Sequence, residues 1–226
     1  MKRLLVLCEG QTEETFFKQL VVPHLAEHGV HAACTLVCTS REEGRRARRG
    51  GHAHRYALIR RDVRHLLLDG NPNAVSTLLD LYAFPRDLPG FPDPMPLGTE
   101  ARATAIETAF AADIGDSRFI PNIVAHEFEG LLFTEPGFIA EAVSTSDAEQ
   151  ADAARRLTGV AENFTTPEDI NDTPDTTPSR RIERALPGYS KARHGPVVAA
   201  RIGLAQIRAK CPHFAAWMDR LERLSE

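Results

Sequence analysis

Four short apolar segments alternate with amphipathic segments in the first part of this chain, and this alternation limits the possible folds more than any other feature. The apolar segments are typical of strands buried in a sheet and cover residues 3–8, 30–39, 74–79 and 119–125. Between them, apolar residues recur at helical spacing and predict helices at residues 12–28, 55–69 and 100–115. This order predicts a mostly parallel central sheet flanked by helices, with residues 3–8 as its central strand.

Turn signals set the boundaries of these elements. Gly10 permits a tight turn after the first strand, and Thr12 is the predicted N-cap of the first helix. Gly29 is the predicted stop before the second strand. The proline-rich residues 84–98 are predicted to form an irregular loop.

The remaining residues are predicted to be mostly helical. The helices are expected at residues 138–145, 148–157, 179–186, 196–210 and 212–224, with a polar loop at 165–178. We therefore predict an α/β core at residues 1–134 and a C-terminal helical extension, residues 135–226, packed on the core. Phe214 and Trp217 are expected in the core rather than on a stacking surface.

Composition limits the classes of function. A 226-residue chain with 42% hydrophobic residues can bury one sizeable core, and its net charge of -4 disfavours coating nucleic acid by bulk positive charge. The apolar run after Met1 is too short for a signal peptide or a membrane span. Cys34 and Cys38 lack the second pair of a zinc site, so we expect both to be ordinary strand residues. The four cysteines are scattered rather than arranged as a disulfide framework, which predicts a cytoplasmic protein, and no membrane partner is expected.

Acidic residues follow the predicted strands. Glu9 ends the first strand, Asp80 follows the third, and Glu127 and Glu129 follow the fourth. The carboxyl ends of parallel strands are where such sheets bind ligands, and clustered carboxylates repel one another unless a cation neutralises them. Oxygen ligands indicate Mg²⁺ or Mn²⁺, which can polarise a phosphoryl oxygen and generate hydroxide.

Each of these carboxylates also has a simpler interpretation. Glu13, in the first turn of the first helix, is a candidate catalytic residue with Glu9 and Asp80. Its alternative role is purely structural, a favourable interaction of its negative charge with the helix dipole. The alternative role of Asp80 is likewise structural, as the cap of a turn.

The segment from His126 to Glu129 leaves two alternatives open. In a helix, His126 and Glu129 share a face and Glu129 is the expected metal ligand, whereas in an extended segment it is Glu127. His126 is a candidate catalytic acid or base, a metal ligand or a hydrogen-bonded structural residue. A zinc-protease helix is excluded because Gly130 stands where a second histidine is needed.

Two basic segments are candidate phosphate contacts. Arg180 and Arg181 begin a predicted helix and Lys191 follows, which suits phosphate binding, although an ordinary solvated helix start has the same composition. The arginine-rich residues 41–55, and 45–49 in particular, form the second candidate.

The stretch L-V-L-C-E-G-Q-T-E, ending at Glu13, resembles the first motif of Toprim domains, in which a strand ends in a glutamate followed by glycine and a helix. The next Toprim motif is Asp-x-Asp at the end of the third strand. This chain has Asp80 and then Leu81 and Tyr82, so the second aspartate is missing. Glu127 or Glu129 is the expected replacement.

Five blocks in order resemble the family catalogued as domain of unknown function 4276, whose members look Toprim-like. The blocks are V-L-C-E-G-Q-T-E-E, S-T-L-L-D-L-Y-A-F-P, N-I-V-A-H-E-F-E-G-L-L-F, I-N-D-T-P-D-T-T-P-S-R-R-I and I-G-L-A-Q-I-R-A-K-C-P-H-F-A-A-W. The resemblance implies a Toprim-type core with site residues Glu9, Asp80, His126, Glu127 and Glu129. It also implies an ATPase encoded nearby. The two proteins would then correspond to the ATPase and nuclease parts that overcoming-lysogenization-defect nucleases combine in one chain.

Together these features predict a metal-dependent nuclease or phosphodiesterase of Toprim type, acting on nucleic acid with an ATPase partner in a defence-like system against phage. The missing second aspartate favours an alternative, a non-catalytic Toprim-like module that regulates its ATPase. A third alternative is phosphoryl transfer on a small nucleotide. The sequence allows a homo-oligomer without requiring one.

Overall fold

A computed structural model of the chain describes residues 1–40, 48–50, 55–82, 84–171 and 173–226. The strands are β1 (Lys2–Cys8), β2 (Val30–Leu36), β3 (Cys38–Ser40), β4 (Arg48–Arg49), β5 (Ala74–Asp80), β6 (Phe119–Ile120) and β7 (Ile123–Val124). The helices of the first half are α1 (Gln11–Phe16), α2 (Val22–Glu27), α3 (Tyr56–Leu68), α4 (Thr99–Ile114) and α5 (Glu129–Leu132), and a π-helical turn (Phe17–Val21) joins α1 to α2. The later helices are α6 (Pro136–Val143), α7 (Asp147–Ala161), α8 (Pro178–Ala185), α9 (Lys191–Ile202), α10 (Leu204–Lys210) and α11 (Pro212–Glu222).

The main sheet is parallel, with β1 at its centre. Its order is β2-β1-β5-β6, and β7 also pairs with β5. Cys8 lies opposite Leu36 on one side and Leu78 on the other, so β1 and β2 end level with each other and β5 runs two residues further, to Asp80. The predicted parallel sheet with a central first strand is confirmed.

Side chains of β1 alternate between two hydrophobic cores. Leu5 and Leu7 join the core formed with α3 and α4, whereas Leu4 and Val6 join the core formed with α1, α2 and the C-terminal helices. The sheet is therefore covered by helices on both faces, as predicted.

The C-terminal helices pack directly on the central sheet. Trp217 and Phe214 of α11 are buried, as predicted, and the Trp217 Nε1–H donates to Ser76 Oγ on β5 at 2.9 Å. The domain boundary at residue 134 stays a prediction. Among the described residues, no helix has both the length and the apolar character needed to cross a membrane.

The first helix starts earlier than predicted. Gly10, not Thr12, is its N-cap, and Thr12 lies in its first turn. Glycine has no side chain to cap with, but the Glu13 carboxylate accepts the Gly10 N–H at 2.9 Å. The cap is thus supplied from within the helix.

The predicted strand at residues 30–39 is two strands. Strand β2 ends at Leu36, and β3 pairs antiparallel with β4 instead of continuing the main sheet. The Val37 N–H donates to the Cys8 carbonyl, whereas its own carbonyl accepts the Gly50 N–H, so the chain changes partner at this residue. Cys34 and Cys38 lie in strands, as predicted. Most of the predicted phosphate-contacting segment, residues 41–55, lies outside the described residues.

The predicted strand at residues 119–125 is also interrupted. Pro121 and Asn122 separate β6 from β7, and proline has no N–H for the ladder. The Thr77 hydroxyl replaces the missing ladder bonds, because it donates to the Asn122 carbonyl at 2.8 Å and accepts the Asn122 N–H at 3.0 Å.

The predicted helix at residues 196–210 begins earlier, at Lys191, and is divided in two. Gly203 separates α9 from α10 with φ of 80°, a conformation in which glycine is favoured and a helix cannot continue. The earlier start is important because it places Lys191 at the N-terminus of α9.

Candidate metal centre

Glu9 and Asp80 lie at the ends of the two neighbouring central strands. Glu9 follows β1 directly and Asp80 is the last residue of β5. Both are buried, and the Glu9 Oε2 accepts the Asp80 N–H at 2.7 Å. The parallel pairing of β1 with β5 is therefore what brings these two acids together.

Glu13 reaches the same place from the first turn of α1. It is buried, and burial raises the pKa of its carboxyl to about 7, with further repulsion from Glu9 and Glu129. Its hydrogen bond from the Gly10 N–H acts in the opposite direction without reversing the shift. Glu13 is consequently a group that exchanges its proton near neutral pH.

Asp80 is the most perturbed acid of the group. Burial holds the pKa of Asp80 well above its ordinary range, and the charges of Glu9, Glu13 and Glu129 raise it further. These four acids therefore act on one another electrostatically within one buried region.

The segment after β7 contributes two more carboxylates. The Phe128 N–H donates to Asp80 Oδ1 at 3.1 Å and fixes this segment against β5. Glu127 precedes α5 and belongs to no helix or strand, whereas Glu129 is the first residue of α5. Both glutamates face Lys191, whose Nζ lies 3.6 Å from Glu127 Oε1 and 3.2 Å from Glu129 Oε2.

Lys191, which is predicted to contact phosphate, lies among carboxylates. Burial opposes its charge, but Glu129, Glu127 and Asp80 raise the pKa of Lys191 above its ordinary value. Its ammonium group therefore stays charged and neutralises part of the acidic cluster.

Two further groups hold the glutamates, and sequence reasoning missed both of them. The Tyr189 hydroxyl donates to Glu129 Oε1 at 3.4 Å, and the Ser179 N–H donates to Glu127 Oε2 at 3.0 Å. The only signal in the sequence was position: Ser179 directly precedes Arg180, and Tyr189 lies two residues before Lys191.

Sequence reasoning also missed Gly195 in α9, which acts through packing rather than through a hydrogen bond. A Cβ at this position would lie 3.0 Å from Thr12 Cγ2 and 3.3 Å from Phe128 Cε1. The missing side chain allows α9 to pack closely on α1. This close packing brings the N-terminus of α9, with Lys191, to the carboxylates.

The two predicted arginines point to different surroundings. Arg180 is exposed, pairs with Glu183 at 3.3 Å, and lines with Lys191 a cavity of about 350 Å³. Arg181 instead donates from Nε to the Thr176 carbonyl at 2.7 Å, and its guanidinium lies 5.5 Å from the centre of the Phe164 ring. Arg180 is therefore the arginine that lines this cavity with Lys191, and the phosphate contacts of both arginines stay predictions.

His126 is held by hydrogen bonds at both ring nitrogens. Its Nε2 lies 2.9 Å from Thr99 Oγ1, and the Asn171 amide nitrogen donates to its Nδ1 at 3.1 Å. Burial, with a contribution from Arg102, lowers the pKa of His126 to about 4. Its backbone has φ of 58°, at the turn between β7 and α5. This arrangement suits a neutral histidine that fixes the turn better than an acid or base working near neutral pH.

The acids are near neighbours but not a preassembled ligand set. Among the described residues, only one group of three His, Cys, Asp or Glu side chains has all its ligand atoms within 4.8 Å of one another, and it is His24, His28 and Glu222. Holding one ion between the strand-end carboxylates would therefore require side-chain rotation, with Lys191 releasing at least one glutamate.

The group formed by His24, His28 and Glu222 is already occupied by a protein cation. Arg208 contacts both oxygens of Glu222, at 2.5 and 3.1 Å, and His24 shares one of them. This ion pair ties α2 to the C-terminal helices.

Comparison with known proteins places the chain in a family. The sequence matches the family described as Domain of unknown function (DUF4276) over residues 8–222. The chain belongs to this family. The match spans the DUF4276 blocks that carry Glu9, Asp80 and the two glutamates before and in α5. A comparison with curated proteins returns no significant match.

Two solved structures are similar to this DUF4276 protein. One is the C-terminal region of the Burkholderia pseudomallei OLD protein, with 15% identity, a TM-score of 0.48 and 100% of both chains covered. The other is the C-terminal region of the Xanthomonas campestris pv. campestris OLD protein, with 16% identity, a TM-score of 0.39, and coverage of 100% of this chain and 99% of that chain.

Proposed function

We propose that this protein is a metal-dependent phosphodiesterase of Toprim type that cleaves nucleic acid. The observation that carries the proposal is the burial of Glu9 and Asp80 side by side at the carboxyl ends of adjacent central strands, with Glu13 and Glu129 close enough to raise the pKa of Asp80. A divalent cation would remove this repulsion, which gives the cluster a physical reason to bind one.

The donor set fits a hard cation. Glu9, Asp80, Glu127 and Glu129 offer only carboxylate oxygens, the ligands that Mg²⁺ and Mn²⁺ prefer. A bound ion of this kind supplies polarisation of a phosphoryl oxygen and a more acidic water. In the proposal, these four residues hold the ion, and Glu9 alternatively serves as a base.

The other residues of the centre move a proton or hold the substrate. Glu13 is the candidate to accept and return a proton, although its pKa of about 7 belongs to the ion-free protein and a bound cation would lower it. His126, with a pKa of about 4, is poorly matched to that task at neutral pH. Lys191 and Arg180 line the same cavity and present cations to a phosphate. When the ion binds, the Lys191 ammonium would leave Glu127 and Glu129 and contact a phosphate of the substrate instead.

The proposal includes an ATPase partner encoded nearby and a role in defence against phage, both supported by the family resemblance. In this pairing the ATPase controls access of nucleic acid to the carboxylates. A cytoplasmic location fits the scattered cysteines of the sequence.

A second candidate function is a non-catalytic module that regulates its ATPase. Two observations favour it. Tyr82 stands where the Toprim pattern has a second aspartate, and Lys191 already neutralises Glu127 and Glu129. In that case the acidic cluster is a structural ion-pair network.

Cleavage assays separate the two candidates. The purified protein is incubated with Mg²⁺ or Mn²⁺ and with labelled single-stranded DNA, duplex DNA or RNA, with and without the ATPase. We expect ion-dependent cleavage that Asp80→Asn removes. Cleavage that persists in Asp80→Asn, or that occurs equally in EDTA, would contradict the phosphodiesterase proposal.

A further inference from the structure

Tyr82 lies between two cavities. It lines the cavity of about 350 Å³ that contains Lys191 and Glu127, and it also lines a second cavity of about 660 Å³. Tyr82 is two residues beyond Asp80 and is 51% exposed, so its ring is accessible from both cavities. The second cavity thus adjoins the candidate metal centre through one aromatic wall.

The second cavity combines flat apolar walls with positive charge. Its aromatic walls are Tyr82, Phe84 and Phe91. Its charged residues are Arg86, Arg102 and Asp93, so the two cations outnumber the one carboxylate. The volume lies within the range of about 300–1,000 Å³ that small-molecule sites occupy. Aromatic rings beside arginines are the combination that binds a planar base with an attached phosphate.

A buried amide in the cavity wall lacks one partner. Asn171 lines the cavity and donates from Nδ2 to His126, but its Oδ1 is buried and has no hydrogen-bond partner among the described residues. A buried acceptor without a partner is unfavourable, and a ligand with an N–H group could supply the missing hydrogen bond if the amide turns toward the cavity. Every nucleobase carries such a group, so this contact selects for a base without selecting which one.

We propose that this cavity binds one unpaired nucleotide, with its base stacked on Tyr82 and its phosphate near Arg86 and Arg102. This inference rests on the proposed function and deepens it, because a nucleotide held there would direct the adjoining phosphodiester past Tyr82 toward the carboxylates. The substrate class is then single-stranded nucleic acid or a frayed end. A paired base cannot enter, since it would first have to leave its helix.

The test measures binding without cleavage. A short fluorescein-labelled single-stranded DNA and the corresponding blunt duplex are titrated with the full chain in EDTA, and fluorescence anisotropy gives the Kd. We expect tighter binding of the single strand than of the duplex. Tyr82→Ala should weaken single-strand binding by about tenfold, and Tyr82→Phe, which keeps the ring, should stay within about twofold of the parent.

Two further variants exclude trivial explanations. Leu68→Ala, which removes another exposed apolar side chain at the end of α3, should leave the single-strand Kd unchanged. Arg86→Gln should weaken binding and lower the slope of log Kd against log salt by about one.

The outcomes separate this inference from the proposed function. Single-strand binding that depends on Tyr82, in a protein that never cleaves, supports the cavity and refutes the phosphodiesterase. Metal-dependent cleavage combined with a single-strand Kd unaffected by Tyr82→Ala supports the phosphodiesterase and overturns the cavity. Equal affinity for duplex and single strand also overturns it.

Discussion

The backbone N–H of Asp80 donates to the Glu9 carboxylate, with 2.7 Å between the nitrogen and Oε2. This bond crosses from β5 to the end of β1, and the Asp80 carboxylate in turn accepts the Phe128 N–H. A backbone amide at the end of β5 therefore holds Glu9, and a backbone amide just before α5 holds Asp80. The acids are held at one edge of the sheet even though their charges repel.

Removing the charge of Lys191 should strengthen the response to a divalent ion. In Lys191→Met, Glu127 and Glu129 lose their shared cation, so we expect the pKa of Glu129 to rise further and the ion-free protein to lose stability. The loss should be only about 1 kcal/mol, because 43% of the Lys191 side chain is exposed and solvent screens the pair. Added Mn²⁺ should then raise the Tm of the variant more than that of the parent.

Arg180→Met is the matched control, since Arg180 lines the same cavity but, among the residues that the structure describes, forms its ion pair with Glu183 and not with Glu127 or Glu129. Its stability and its response to Mn²⁺ should equal those of the parent. An Mn²⁺ response in Lys191→Met no larger than in Arg180→Met would argue against competition between lysine and ion.

Glu13 should make the ion-free protein less stable as the pH rises. Its pKa is about 7 in the folded protein and 4.5 ordinarily, so the folded state binds the proton more tightly. The favourable contribution is complete below about pH 4.5 and is lost as the pH rises to about 7. Glu13→Gln should therefore be more stable than the parent at pH 8, on the order of 2 kcal/mol, and similar to it at pH 4.

Urea unfolding in EDTA across this pH range measures the difference. Glu14→Gln, one residue along the same helix, is the control, because Glu14 pairs with Lys18 outside the cluster. An equal pH dependence in Glu13→Gln and the parent would exclude a shifted Glu13.

His126 should have the opposite pH dependence. Its pKa is lowered from 6.5 to about 4, so its contribution to stability is present above pH 6.5 and is lost as the pH falls toward 4. His126→Asn tolerates the positive φ but cannot keep both hydrogen bonds, so we expect a loss of about 1–2 kcal/mol at pH 8 and a smaller difference from the parent at pH 4.

The same variant tests whether His126 is catalytic. If His126 only fixes the turn, the pH profile of the cleavage rate should show no limb near pH 4, the pKa of His126 in the folded protein, that disappears in His126→Asn. A limb lost in a folded variant would instead make it the acid or base.

Close packing of α9 on α1 depends on Gly195. We expect Gly195→Ala to destabilise the protein by about 1–3 kcal/mol, because the new Cβ would meet Thr12 at 3.0 Å. Gly159→Ala in α7 meets nothing within 4 Å and should instead stabilise by up to about 1 kcal/mol through helix propensity. Chemical denaturation distinguishes the two, and equal effects would contradict the packing argument.

The sheet could be predicted because burial leaves a direct sequence signal. Continuous apolar runs such as the one ending at Cys8 predicted parallel strands, and the acids after them marked the edge of the sheet at which these acids meet. Interruptions were harder to foresee. The split at Pro121 depends on the Thr77 hydroxyl of another strand, which no local pattern reports.

The partners within the candidate site were also beyond sequence reasoning. Lys191 was grouped with Arg180 and Arg181 because all are basic, yet long-range packing through Gly195 places it among carboxylates. Charge type can be read from a sequence, whereas the sign of the nearest neighbour depends on tertiary structure.

Metal-dependent cleavage by the parent and by Glu9→Gln, assayed side by side with the ATPase present, tests the central claim most directly. The substitution keeps the size of the side chain and an oxygen for the Asp80 N–H, but it removes the charge that would hold the ion. We predict that the parent cleaves and gains Tm with Mg²⁺ or Mn²⁺, whereas Glu9→Gln folds, does not cleave and gains much less. If neither protein cleaves and neither Tm responds to any divalent ion, the metal centre is contradicted and the regulatory module takes its place.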